Sequence, residues 1–156
     1  MPLQHSIPTA LWLLGSVIPA AMSALYPFDH GVWLAAYLFL VGFLAQLLLG
    51  RGQARLLSAA GLPAPTRRVR LAQALPWNLG VIAVPAGVLA EARLAVVVGS
   101  VSLLTALALF AKTARPELPG SAVRPARLGW AYALLLLVVT GSTLIGTVLA
   151  WDTPWT

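Results

Sequence analysis

The sequence predicts an all-α fold, a polytopic bundle of membrane helices, on three observations. The 156 residues are 60% hydrophobic and only 9% charged, whereas an ordinary soluble domain carries about 25% charged residues. The apolar residues come in long runs. Gly31 to Gly50, GVWLAAYLFLVGFLAQLLLG, holds no charge, and a hydrocarbon layer ~30 Å thick takes about 20 residues at ~1.5 Å rise to cross. Thirdly, the charges sit between such runs. Of the ten Lys and Arg, all but Arg93 fall in two segments: Arg51, Arg55, Arg67, Arg68 and Arg70, then Lys112, Arg115, Arg124 and Arg127.

Taken in order, a first span is expected over 7–25, after the polar lead Met1 to Ser6. Small residues at Ala21 to Ala24 would suit a signal-peptide cleavage site. The basic n-region of a signal is missing, however, and Pro8 and Pro19 lie in a run longer than a usual h-region, so a retained helix is expected. Pro19 should kink it, because proline removes a backbone bond and pushes on the carbonyl four residues back. Tyr26 to His30 forms a tight turn into the second span, 31–50, which makes the first two helices antiparallel neighbours. The segment 51–70 reads as the longest loop, with room for one interfacial turn of helix before Pro63 and Pro65.

The third span is expected over 71–90, with Pro76 near its start and Pro85 in its second half. Length alone splits the apolar stretch that follows, so Glu91 to Arg93 becomes a turn and 94–111 the fourth span. A second basic loop, 112–127, leads to a fifth span over 128–151 and a short tail. With both long loops cytoplasmic, nine basic residues lie inside and only Arg93 outside. Five spans, the N-terminus inside and the C-terminus outside, follow from that bias. Trp12, Trp33, Trp77, Trp130 and Trp151 fall near span ends, where indole rings favour the interface. One integral membrane domain, multi-pass in the cell membrane, is the expected organisation.

The formal charge of +6 is accounted for by topology and by attraction to anionic headgroups. The partners expected are therefore the lipid bilayer and another membrane protein or a second copy, and not nucleic acid. The absence of cysteine excludes disulfides and thiolate metal sites. Trp12 to Ala20 and Trp77 to Ala86 align with one gap, each followed by a short turn and a returning helix. That pattern fits a parallel two-helix repeat about as well as it fits chance.

Polar side chains within spans are the candidates for function, since each costs energy in lipid. Here they are uncharged: Tyr37, Gln46, Asn78, Thr105, Thr140, Ser142, Thr143 and Thr147. No carboxylate lies at mid-membrane depth, which argues against a proton-coupled pump. Gln46 and Asn78 are expected to lie in the inner halves of neighbouring spans, within reach of an interhelical hydrogen bond worth ~0.6 kcal/mol. Thr140, Gly141, Ser142, Thr143, Gly146 and Thr147 form a small-residue patch, with Ser142 and Gly146 at small-xxx-small spacing. Close packing against another helix, inside the chain or in a partner, is its expected use. His5 and His30 belong to opposite membrane faces in this topology and cannot share a metal or haem. Catalytic residues, a metal site and a bound cofactor are not expected, with His30 and Tyr37 kept as the only candidate haem contacts.

The strings Ala36-Tyr37-Leu38-Phe39-Leu40-Val41-Gly42, Trp77-Asn78-Leu79-Gly80-Val81 through Gly99, and Gly129-Trp130 through Gly146 resemble the amino-terminal helices of the haem-copper oxidase subunit I superfamily. The resemblance points particularly to its small relatives around the nitric-oxide-response protein NnrS. In that family a histidine of the second helix ligates haem, within a His-Leu-x-Leu-x-Gly setting, and Tyr37 stands at the matching position here. The other haem and copper ligands lie on later helices, so no ligand carries over. The resemblance implies a shortened, non-catalytic relative serving a respiratory or nitric-oxide-handling complex. An accessory subunit or assembly factor is the first functional expectation. A small oligomeric transporter or channel, lined by the helices holding Pro19 and Pro85, is the second. A haem-binding membrane protein is the third.

Overall fold

The computed structural model describes residues 6–25, 30–114 and 126–152, and these are helical apart from short turns. The elements are α1 (Ser6–Leu25), α2 (Gly31–Tyr37), a π-helical segment (Leu38–Ala45), α3 (Gln46–Ala59), α4 (Arg67–Leu89), α5 (Arg93–Ala114) and α6 (Ala126–Asp152). Among the described residues, four continuous helical stretches are long and apolar enough to cross a membrane: Gly31–Ala59, Arg67–Leu89, Arg93–Ala114 and Arg127–Ile145. Ala10–Leu25 is a shorter apolar stretch. Contacts divide the chain into two units, Met1–Gly50 and Arg51–Thr156.

In the first unit, α1 packs against α2 and the π-helical segment. The packed stripe of α1 is small. Ser16 and Pro19 are buried with Gly15 half-buried beside them, while Leu11, Leu14, Val17, Ile18 and Met22 are exposed. Small side chains let backbones approach, which is how helices associate where lipid is as apolar as leucine. The hydroxyls are satisfied within α1, Ser16 donating to the Leu13 carbonyl at 2.7 Å and Ser23 to the Pro19 carbonyl at 2.8 Å.

The second span does not stop at the arginines. Helix runs unbroken through Arg51 to Ala59, so the first nine residues of the expected loop 51–70 are helical. Leu56 and Leu57 are buried and anchor this extension. It ends in a Schellman motif: the Leu62 N–H donates to the Leu57 carbonyl at 2.9 Å and the Gly61 N–H to the Ser58 carbonyl at 3.1 Å. Gly61 takes the left-handed φ of +70° that this motif needs. Thr66, just past Pro65, caps the next helix with a long 3.5 Å bond from the Val69 N–H to its hydroxyl oxygen. The third helix thus begins at Arg67 rather than Leu71.

Within the second unit α4 and α5 form the principal pairing, and α6 packs on α5. Their register is set by glycines. A Cβ on Gly80 would lie 2.7 Å from the Gly99 carbonyl oxygen, one on Gly87 2.7 Å from the Val96 nitrogen, and one on Gly99 2.8 Å from the Val84 nitrogen. The inward positions Gln73, Trp77, Gly80 and Gly87 of α4 meet Val96, Gly99, Leu103, Ala106 and Phe110 of α5 in antiparallel order. Steps of three and four along both helices give the seven-residue repeat of coiled-coil packing. Trp77 is buried, its ring edge-on to Phe110 at 6.4 Å, and so packs against α5. Leu136 is buried on α6.

The α4–α5 turn repeats the Schellman geometry, with the Ala92 N–H donating to the Gly87 carbonyl at 2.8 Å and the Glu91 N–H to Val88 at 3.3 Å. Glu91 holds the position that Gly61 holds after α3, at φ +53°. A residue with a Cβ costs about 1–2 kcal/mol there, of which glycine's extra freedom in the unfolded chain offsets part. Glu91→Gly is expected to stabilise the protein by roughly 0.5 kcal/mol. A higher thermal midpoint in detergent is the result that bears this out, and a lower one contradicts it.

Candidate functional site

His30 is exposed and stands at the N-terminus of α2, its carbonyl accepting from the Leu34 N–H at 2.8 Å, with no capping bond from its side chain. Tyr37 is half-buried at the last position of α2, its ring stacked on Trp33 at 5.5 Å. His5 lies outside the described residues. Among those described, no three His, Cys, Asp or Glu come together as metal ligands. Gln46 belongs to the first unit and its buried Oε1 has no hydrogen-bond partner. Asn78 belongs to the second, and its Nδ2 donates to the Ala74 carbonyl at 2.7 Å, one turn back on its own helix.

The small-residue patch falls on the half of α6 beyond its docked part. Gly129, Tyr132 and Leu136 form a buried stripe at steps of three and four, and burial then fades. Thr140, Gly141 and Thr143 are half-buried and Ser142 is exposed, and a Cβ on Gly141 would meet nothing within 4 Å. Thr143 donates to the Val139 carbonyl at 2.9 Å, so its hydroxyl can sit in an apolar setting at small cost. The backbone at Gly146 and Thr147 continues the helix, while their side chains lie outside what the structure describes.

A second group was not singled out from the sequence. Gln53, Gln73, Trp77 and Tyr132 are 3%, 2%, 1% and 3% exposed. Gln73 links α4 to α5, its Nε2 donating to the Leu109 carbonyl at 3.3 Å and to the Thr113 hydroxyl at 3.1 Å. That bond also fixes direction, placing the start of α4 beside the end of α5. Gln53 Nε2, Trp77 Nε1 and Tyr132 Oη are buried without a hydrogen-bond partner. Tyr132 lies against α3, where a Cβ on Gly52 would approach its Cδ2 to 2.9 Å. The signal that could have found these residues was available: Gln53 and Gln73 are polar positions on the same helical stripes as Leu56 and Trp77.

No protein-family model, curated protein or solved structure matches this chain.

Proposed function

We propose that this chain is a five-span protein of the cell membrane that acts without catalysis of its own, by docking against a larger membrane protein through the far half of α6. The observation that carries this reading is the break in α6 packing after Leu136, followed by a glycine with open space around it. Lipid has no use for a small-residue face, whereas a second helix approaches closely at one. The arginine-rich ends of α3, α4 and α6 and the Lys112 end of α5 support an orientation with that end cytoplasmic, hence an N-terminus inside and a C-terminus outside. The resemblance to amino-terminal oxidase helices makes a respiratory or nitric-oxide-handling complex the first partner class to test.

Gly141→Leu separates docking from folding. A Cβ there would meet nothing within 4 Å among the described residues, so thermal stability is expected to hold, while co-purification of the partner in mild detergent falls about tenfold as the interface is overfilled. Leu136→Ala should do the reverse, lowering the chain's own stability by about 2 kcal/mol. Recovery of the wild-type chain alone, as a monomer, contradicts the reading.

A further inference from the structure

One exposed side of α3 carries two arginines and no apolar side chain larger than alanine. Past Gly50 it presents Arg51, Ala54, Arg55 and Ser58, all exposed, while Gln53, Leu56 and Leu57 are buried on the opposite side. Steps of three and four place the four exposed residues on one stripe. The exposed stripe of α4, by contrast, is Leu71, Leu75, Leu79 and Ile82, as a helix against lipid requires.

The depth of the arginine stripe follows from the Gly52–Tyr132 contact, where a Cβ on Gly52 would lie 2.9 Å from the Tyr132 Cδ2. Gly52 is seven positions from the end of α3 and Tyr132 six from the start of α6, so the two helices share this end and run in opposite senses. Side chains of a helix lean towards its own N-terminus. The Tyr132 ring therefore reaches back towards Arg127, and Gly52 stands slightly nearer the end than the Tyr132 backbone does. Arg51, one step further in, is close to the level of Tyr132 itself, roughly 7 Å inside Arg127 at ~1.5 Å per residue. Around that level α6 exposes Trp130 and Leu134. Arg127, on a helix that starts at this end, leans out towards water; Arg51, on a helix that finishes here, leans inward. A cation at an apolar level is costly unless a partner meets it. Of the acidic residues described, Glu91 lies in the turn between α4 and α5 and Asp152 ends α6, both at the opposite end.

We infer that this stripe receives a carboxylate from the membrane partner: a helix of the partner lies along α3 and presents an Asp or Glu to Arg51, with Arg55 one turn further out as the second cation. The inference rests on the docking reading above and adds the partner's chemistry to it. Two features suit a helix better than a lipid headgroup. Ala54 and Ser58, four apart, let a second backbone approach closely, and Arg51 leans away from the headgroup level. A guanidinium meets a carboxylate with two parallel hydrogen bonds, and where water is scarce such a pair is stronger than on an open surface.

The probe is a synthetic single-span peptide of leucine and alanine with one Glu near one end, together with its Gln twin. The full chain, labelled with an energy-transfer donor, is reconstituted in phosphatidylcholine bilayers at mildly alkaline pH, and acceptor-labelled peptide is titrated in. The Glu peptide is expected to bind about tenfold more tightly than the Gln peptide. Arg51→Gln with Arg55→Gln, on an exposed side, should abolish that preference without moving the thermal midpoint, and Arg127→Gln should leave the preference intact. Equal binding of the two peptides to the unaltered chain overturns the inference, as does a Glu preference that survives the double substitution. If added phosphatidylglycerol erases the preference, lipid phosphate holds the arginines and the inference is likewise overturned. The docking reading is tested apart from this, because Gly141→Leu should leave the Glu-to-Gln ratio unchanged while it lowers co-purification of the partner.

Discussion

Gly80→Leu is expected to lower the stability of the protein by about 3 kcal/mol, the upper end of what overfilling a packed contact costs. Its first added carbon would already lie 2.5 Å from the Leu103 Cγ and 2.7 Å from the Gly99 carbonyl oxygen. A side chain can change rotamer, but a backbone oxygen moves only if α4 and α5 part. Parting them here also loosens Gly99 against Val84 and Gly87 against Val96, since all three contacts belong to one register. Gly50→Leu is the matched control, because a Cβ there meets nothing within 4 Å and both variants gain similar helix propensity. Denaturant titration in micelles measures the difference. Similar midpoints for the two variants would mean that the helices do not approach as described.

Trp77→Ala is expected to cost about 3 kcal/mol. In a water-soluble core the loss would span about 3–5 kcal/mol. Between helices in lipid the transfer part shrinks, since lipid is itself apolar, while the cavity and the lost edge-on contact with Phe110 remain. Trp77→Phe tests the partition. It keeps most of the ring volume and removes the buried, unpartnered N–H, so it should cost less than 1.5 kcal/mol. A Trp77→Phe loss as large as that of Trp77→Ala would show that the indole nitrogen, not the ring, holds the site together.

These two residues show how far the sequence could be read. Long uncharged runs make spans visible because backbone in hydrocarbon must be helical and must be about 20 residues long, and helices long and apolar enough to cross a membrane begin within a few residues of Gly31, Leu71, Leu94 and Leu128. The extension of α3 to Ala59 was partly legible, since Gly61, Leu62 and Pro63 are a C-terminal stop signal, but Gly50 and Gly52 earlier in the run read as weak breakers. Reading Arg51 as the end of a helix confuses leaving the membrane with leaving the helix. Trp77 was harder. An indole near a span end suits the interface and the interior equally, and only the repeat through Gly80 and Gly87 says which way it faces. The donors at Gln53 and Tyr132 depend on which helices stand beside them, and composition carries no such information.

The short link between α4 and α5 also bears on the order in which the protein is made. Contacts such as Gly87 with Val96 are a few residues apart in sequence, so closing them costs little chain entropy, and helix pairing of this kind is fast. The pair can zip from Glu91 outward as soon as α5 has left the ribosome, before α6 has emerged from it. What α6 then meets is a finished two-helix surface, on which it packs against α5 while its Tyr132 lies against α3. Synthesis would thus deliver a rigid hairpin first and its lightly held companion last, leaving α6 the part of the second unit most open to exchange of neighbours during assembly.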